Sequence, residues 1–221
     1  MFAGRKFAAF LFDMDGTVIN SIAAAERVWT DWAQRQGLNV ATFLPTIHGK
    51  RAIETIGELM LPGVDPVHEA DALLKAEADD LEGIVPIAGA VAFLKSLPPE
   101  RWAIATSAPR ELALLRMKAA GIPVPAVIVA AEDVTRGKPA PDCFQLAARR
   151  LGFEAQDCLI FEDTPAGIAA AEAAGASLMV ISATHTHPIA TPHASIASYD
   201  ALGIAVDHCG WILLEPQRDA A

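Results

Sequence analysis

Apolar residues along this chain come in short unbroken runs that stop abruptly at polar ones. Residues 8–12, 102–106, 126–130, 158–161 and 177–181 are such runs. Segments of this length, bounded by charged or turn-forming residues, read as strands buried on both faces. Between them the spacing shifts to a helical repeat and predicts helices over 88–97, 110–120, 141–151 and 165–174. Gly121, Gly152 and Gly175 stop three of these helices, and Pro98-Pro99 ends the first. Strands alternating with helices predict parallel βαβ units and hence an α/β fold with a doubly wound, Rossmann-like parallel sheet.

One segment breaks the alternation. Between residues 20 and 85 there is no strand signal. A helix through 23–33 places Trp29, Trp32 and Ala33 on one face and ends at Gly37. Residues 47–51 read as a loop, and helices follow over 52–60 and about 66–82, separated by Leu61-Pro62-Gly63. Residues 83–86 read as the hinge leading out. The expected organisation is a core domain of residues 1–18 and 86–221 with a small all-helical domain, 19–85, inserted into it. Beyond Ser182 the pattern fades into Thr-, His- and Pro-rich loops, with a short strand near 195–197 and a tail without clear periodicity.

Composition narrows the class. A chain of 221 residues can bury a large core, and 52% hydrophobic residues with a mean hydropathy of +0.31 argue for a compact globule. No apolar stretch reaches the length of a membrane span. The first apolar stretch ends quickly in acids, so no signal peptide is expected. A formal charge of −10 argues against nucleic acid or an anionic membrane as partner, and an anionic small substrate would need a local cluster of cations. Cys143, Cys158 and Cys209 show no metal-ligand spacing, and their odd number predicts reduced thiols in a cytoplasmic protein.

The candidate chemistry lies where the apolar runs end. Asp13 and Asp15 follow the first strand, Thr106-Ser107 the second and Glu162-Asp163 the fourth, while Gly137-Lys138-Pro139 follows the third. In an open parallel sheet the C-terminal strand ends share one edge, where the ligand crevice lies. Clustered carboxylates repel unless compensated, and oxygen ligands of this kind suit Mg2+. A lysine and a threonine hydroxyl supply charge and donors for anionic oxygens. Together these groups suit phosphoryl transfer, with one carboxylate as nucleophile and a second as proton donor and acceptor. Each group also has a plainer reading. The acids could be a solvated turn, Thr106 and Ser107 a helix cap, Glu162 and Asp163 favourable charges at a helix N-terminus, and Lys138 a solvated turn residue.

Asp13-Met14-Asp15-Gly16-Thr17 resembles the first motif of the haloacid dehalogenase-like hydrolase superfamily. Thr106-Ser107, Lys138-Pro139 and Glu162-Asp163-Thr164-Pro165-Ala166-Gly167 resemble its second, third and fourth, in the same order and at matching spacing. The helical insert is similar to the cap of the branch holding β-phosphoglucomutase, phosphoglycolate phosphatase and small sugar phosphatases. The stretches 29–33, 47–50 and 136–139 are most like those of bacterial hexose-phosphate phosphatases. The resemblance implies Asp13 as nucleophile and Asp15 as general acid/base. It further implies Mg2+ held by Asp13, the Asp15 carbonyl and Asp163, with Glu162 in support, and Thr106 and Lys138 on the transferring phosphoryl group. Asn20 stands where many relatives have Asp, at a position outside the catalytic set.

The expected activity is therefore Mg2+-dependent hydrolysis of small phosphorylated sugars or polyols through an aspartyl-phosphate. A sugar phosphomutase using the same residues and a catalytically silent binding protein on the same scaffold are the alternatives. Ser107 and, from the insert, His48, Lys50 and Arg51 are candidate substrate ligands, the last three being equally readable as an exposed basic turn. Lys50 could also form the Schiff base of a phosphonate hydrolase, a weaker reading. Closure of the insert over the crevice would exclude water. His185 and His187 read as a solvated loop, Trp29 and Trp32 as the core of the insert, and Cys143 as helix packing. A monomer is expected, though the sequence leaves the oligomeric state open.

Overall fold

The computed structural model describes residues 2, 4–187 and 189–216. The chain opens with β1 (Lys6–Phe7) and β2 (Phe10–Phe12), and a tight turn leads to β3 (Ile19–Asn20). A helical excursion follows: α1 (Ile22–Arg35), α2 (Val40–Phe43), α3 (Ala52–Glu58) and α4 (Pro66–Asp79), closed by β4 (Val85–Pro86). Alternation then resumes with α5 (Ala90–Ser96), β5 (Trp102–Ala105), α6 (Arg110–Ala119), β6 (Val127–Val129), α7 (Asp142–Leu151), β7 (Leu159–Glu162), α8 (Pro165–Ala173) and β8 (Ser177–Ile181). The strands β9 (Ala194–Ile196), β10 (Leu202–Val206) and β11 (Ile212–Pro216) complete it.

Six strands form one parallel sheet in the order β6-β5-β2-β7-β8-β9. The α/β reading of the apolar runs is thus the observed architecture, with strands and helices close to the expected positions. Side chains alternate across β2, so Phe10 and Phe12 join one core cluster and Leu11 the other. On the first face Phe12 stacks on Phe161 with centroids 4.5 Å apart, and Phe93, Trp102 and Tyr199 surround the pair. Complete burial of a Phe side chain is worth roughly 1.5–3 kcal/mol. On the second face Leu11 and Ile160 pack against Phe144 and Ala147 of α7 and Ile168 and Ala171 of α8.

The excursion has its own core, in which Trp29, Trp32, Phe43, Ile56 and Leu73 are buried together. Trp32 Nε1 donates to Glu69 at 2.8 Å, which satisfies the indole that burial would otherwise strand. Two corrections concern its ends. The segment expected to be a plain hinge is β4, which pairs antiparallel with β3 through Ile19↔Pro86 and Asn20↔Val85. The strand-free reading of 20–85 therefore missed a two-stranded ribbon that holds entry and exit side by side. The unplaced tail also has structure: β10 and β11 pair antiparallel, and β11 pairs with β1, forming a three-stranded sheet. Residues 217–221 of that tail lie outside the described residues.

β2 is where the winding reverses, with β5 and β6 on one side and β7, β8 and β9 on the other. Connections leave such a point in opposite directions and open a crevice at the C-terminal strand ends. The residue that leaves β2 at this crevice is Asp13.

Candidate active site

Asp13 continues the sheet, its N–H donating to the Phe161 carbonyl at 2.9 Å, and it is 5% exposed. Parallel pairing of Phe12 with both Ile104 and Phe161 brings the ends of β5 and β7 alongside. Lys138, on the loop before α7, reaches in from 125 positions along the chain. Its ammonium donates to Asp13 Oδ1 at 2.5 Å and Glu162 Oε1 at 2.7 Å, and Nζ lies 4.9 Å from the centre of the Phe144 ring. Glu162 is fully buried, and its Oε2 accepts from the Asp163 and Thr164 N–H groups, both at 2.6 Å, and from Thr164 Oγ1. Asp163 Oδ1 accepts from Thr17 Oγ1 at 2.9 Å.

Two glycines let the backbone come this close. Gly16 has φ +86°, and a Cβ there would run into the Asp163 carboxylate. Gly167, in the first turn of α8, lies against the Glu162 carboxylate, where a Cβ would overlap it. Thr164 caps the same helix, accepting from the Gly167 N–H at 3.1 Å. Capping and the placement of Glu162 thus occupy one helix N-terminus.

Burial dominates the electrostatics. It pushes the Asp13 carboxyl up to about 7, with Lys138 opposing and Glu162 and Asp15 adding to the rise. Asp163 is raised well above the carboxylate range by burial, then by Glu162 and Asp13. Burial alone would lower Lys138, but the Asp13 and Glu162 carboxylates outweigh it and hold the ammonium above its ordinary value. Cys143 is pushed up to about 11 by burial, which keeps it a packing thiol.

Asp13, Glu162 and Asp163 each offer a carboxylate oxygen within 4.8 Å of the others. Three buried acids against one ammonium leave uncompensated negative charge, which adds to burial in raising Asp13 and Asp163. An oxygen-ligated divalent cation fits this donor set. Both oxygens of Glu162 already accept bonds from the protein, so the freer ligands are Asp13 and Asp163, with Glu162 orienting them.

Above these acids lies a chamber of about 90 Å³. Asp13, Asp15, Thr106, Ser107 and Arg116 line it from the sheet side, and Trp29, Ile47, His48, Lys50 and Glu77 from the excursion. Thr106 Oγ1 accepts from the Ala108 N–H at 3.0 Å, and Ser107 Oγ donates to the Gly49 carbonyl at 2.9 Å. Asp15 Oδ1 accepts from Ser21 Oγ at 2.5 Å and from Arg116 Nη1 at 3.0 Å. His48 lies 3.4 Å from Glu26, and Lys50 is paired with Glu58 at 2.8 Å although it borders the chamber.

Arg51 corrects an expectation. It is not among the residues lining the chamber, and its guanidinium donates to the carbonyls of Val134 at 3.1 Å and Thr135 at 2.9 Å and to Glu54. Glu54 in turn accepts from the Gly137 N–H at 3.2 Å. Arg51 therefore fastens the excursion to the loop that carries Lys138 through its two terminal nitrogens, while its Nε is buried without a partner among the described residues. His185 is a second correction. Its Nε2 lies 2.7 Å from the Asp163 carbonyl and its Nδ1 is buried without a partner among the described residues, so it packs on the site's backbone, whereas His187 is exposed. Arg116 and Glu77 were not foreseen. Both are charged residues inside helices, and only the packing of α4 on α6 marks them.

Residues 7–175 match the family described as haloacid dehalogenase-like hydrolase. The chain is 42% identical over 183 residues to hexitol phosphatase A of Escherichia coli, covering 81% of this chain and 85% of that protein. It is 32% identical over 192 residues to glycerol-1-phosphate phosphohydrolase 2 of Saccharomyces cerevisiae, covering 81% and 76%. Among solved structures, a β-phosphoglucomutase from Clostridium difficile aligns with a TM-score of 0.69 at 21% identity, over 79% of this chain and 84% of that one, a likeness of fold. The chain belongs to the haloacid dehalogenase-like hydrolase family.

Proposed function

We propose that this family member is a phosphatase that hydrolyses small phosphorylated sugars or polyols, uses Mg2+, and works through an aspartyl-phosphate on Asp13. The observation that carries the chemistry is the meeting of Asp13, Lys138, Glu162 and Asp163 beneath a chamber that Asp13, Asp15 and Thr106 border. The substrate class rests on the relatives, which are named as phosphatases of hexitols, of glycerol 1-phosphate and of fructose 1-phosphate.

Asp13 and Asp163 would hold the cation, together with the Asp15 carbonyl, and Glu162 would orient them. When bound, the cation offsets the charge of the acids and of the phosphoryl oxygens. An Asp13 carboxylate oxygen bonds to phosphorus as the bond to the ester oxygen breaks, and Asp15 gives its proton to the departing alkoxide. Water then attacks phosphorus and returns a proton to Asp15 while the bond to Asp13 breaks. One water is consumed, and an alcohol and inorganic phosphate leave. Lys138 and the Thr106 hydroxyl supply donors for the phosphoryl oxygens, and the Lys138 ammonium keeps the buried Asp13 carboxylate accessible in its charged form.

The test is a panel of phosphorylated hexitols, hexoses and glycerol, with free phosphate measured in excess Mg2+ and in EDTA. Release from alkyl phosphates in Mg2+, lost in EDTA and in Asp13→Asn, is expected. Turnover undiminished in Asp13→Asn would remove the mechanism.

A further inference from the structure

We infer that Arg116 is a positioning residue that aligns Asp15 for proton transfer, and that Glu77 on the helical excursion completes the alignment. The inference deepens the proposed function, since it rests on Asp15 as the group that gives and takes the proton. Arg116 sits on α6 and is 5% exposed. One guanidinium nitrogen donates to Asp15 Oδ1 at 3.0 Å and the other to Glu77 Oε1 at 3.1 Å. Glu77, on α4, is 9% exposed.

A buried ion pair of this kind is poor support for a purely structural role. Desolvating two charges commonly cancels their attraction, and well-packed apolar residues would serve the interface as well. Arg116 Nε adds to that cost, being buried without a partner among the described residues. What the arrangement does provide is geometry. A planar guanidinium fixes two carboxylates at a set angle, which a lysine point charge does not. Both bonds to Asp15 from Ser21 and Arg116 fall on Oδ1, and no hydrogen bond among the described residues reaches Oδ2. Oδ1 is thereby anchored, and Oδ2 is the oxygen left to carry the proton to the departing alkoxide and recover one from water. The Arg116 partner on the far side belongs to the excursion, so the anchor is whole only while α4 rests on α6. Asp15 alignment and the seating of the excursion are in this way one event.

The consequence is selective for leaving groups. An alkoxide must be protonated as it departs, whereas p-nitrophenolate leaves without help, and kcat/KM reports only the steps through formation of the aspartyl-phosphate. In Arg116→Lys, kcat/KM should fall at least about tenfold for glucitol 6-phosphate, or for whichever alkyl phosphate the panel ranks first, and less than about threefold for p-nitrophenyl phosphate, as expected when a general acid is displaced. Glu77→Gln should shift the ratio in the same direction by a smaller factor, and Asp15→Asn by a larger one. If Arg116→Lys does not fold, Arg116→Gln/Glu77→Gln, which leaves no buried Glu77 charge unpaired, is measured instead. Equal losses on both esters in the Arg116 variants, with Asp15→Asn selective, would overturn the assignment of Arg116 alone. An unselective Asp15→Asn would overturn both this inference and the proton-transfer role on which it rests.

Discussion

Replacing Asp13 by Asn should make the metal-free protein more stable while abolishing turnover. The fold holds the Asp13 carboxyl at about 7 against an ordinary 3.8, chiefly through burial. Between those values the folded state keeps a proton that the unfolded chain has given up, so the free energy of unfolding falls as pH rises through this window. Roughly three pKa units at 1.36 kcal/mol each set a ceiling of about 4 kcal/mol on the penalty, reached above about pH 7. Asn carries no proton to lose, and its amide oxygen can still accept from Lys138. Its NH2 group fits the acid cluster less well than a protonated carboxyl would. A net gain of roughly 2–4 kcal/mol is therefore expected at about pH 8, shrinking toward zero near pH 4.

The assay is urea unfolding in EDTA across that range, repeated in excess Mg2+. Metal binding to the folded state alone should restore stability to the parent at the upper end of the range and do less for the variant, which lacks one ligand. A variant less stable than its parent at about pH 8 in EDTA, or a parent whose stability does not decline through the window, would refute the charge argument.

Other consequences can be measured with the same preparations. Lys138→Met strands Asp13 and Glu162 in the interior without their cation. It should cost roughly 3–5 kcal/mol in urea unfolding in EDTA, part of it recovered in excess Mg2+. Gly167→Ala drives a methyl group into the Glu162 carboxylate and should lower both stability, by about 1–3 kcal/mol, and the affinity for Mg2+ followed by calorimetry. Orthovanadate should raise the melting temperature in the presence of Mg2+ and leave it unmoved in EDTA. Protection by vanadate in EDTA would show that the anion is held without the cation.

Much of this was legible in the residue pattern because the relevant signals are local. Short apolar runs ending in Asp13, Thr106 and Asp163 mark both the strands and the edge where they end, and a parallel sheet brings that edge to one place whatever the connections contain. The Trp29–Trp32 face likewise announced a second small core. Other features depend on pairing across sequence distance. β1 is two residues long and β11 lies some 200 positions later, with partly exposed faces that carry no clean alternation. Arg51 looked like a free cation because its carbonyl partners at 134 and 135 leave no mark on a sequence. Arg116 and Glu77 were invisible for a related reason. A charged residue in mid-helix reads as solvent-facing until the neighbouring helix is known, and here that neighbour comes from the excursion.

The charges around the chamber are mostly negative, an excess that the proposed cation would offset. Asp13 and Glu162 share Lys138, Asp15 and Glu77 share Arg116, Asp163 adds a fifth carboxylate, and Lys50, which also borders the chamber, is paired with Glu58. Fully ionised, five carboxylates against two cations leave three excess negative charges, before a phosphate dianion arrives. Burial, with the neighbouring acids adding to it, favours the protonated forms of Asp13 and Asp163, which lessens the repulsion. A protonated Asp13 is a poor nucleophile, so the state that lowers the repulsion is also an inactive one. On the proposed reading, Asp13 and Asp163 would hold a divalent cation, whose charge would favour their ionised forms and offset part of the repulsion toward an anion. Lys138 does not do this alone, because its ammonium is already shared between Asp13 and Glu162, and this is the physical reason the proposed reading adds a metal to a site that holds so deeply placed a lysine.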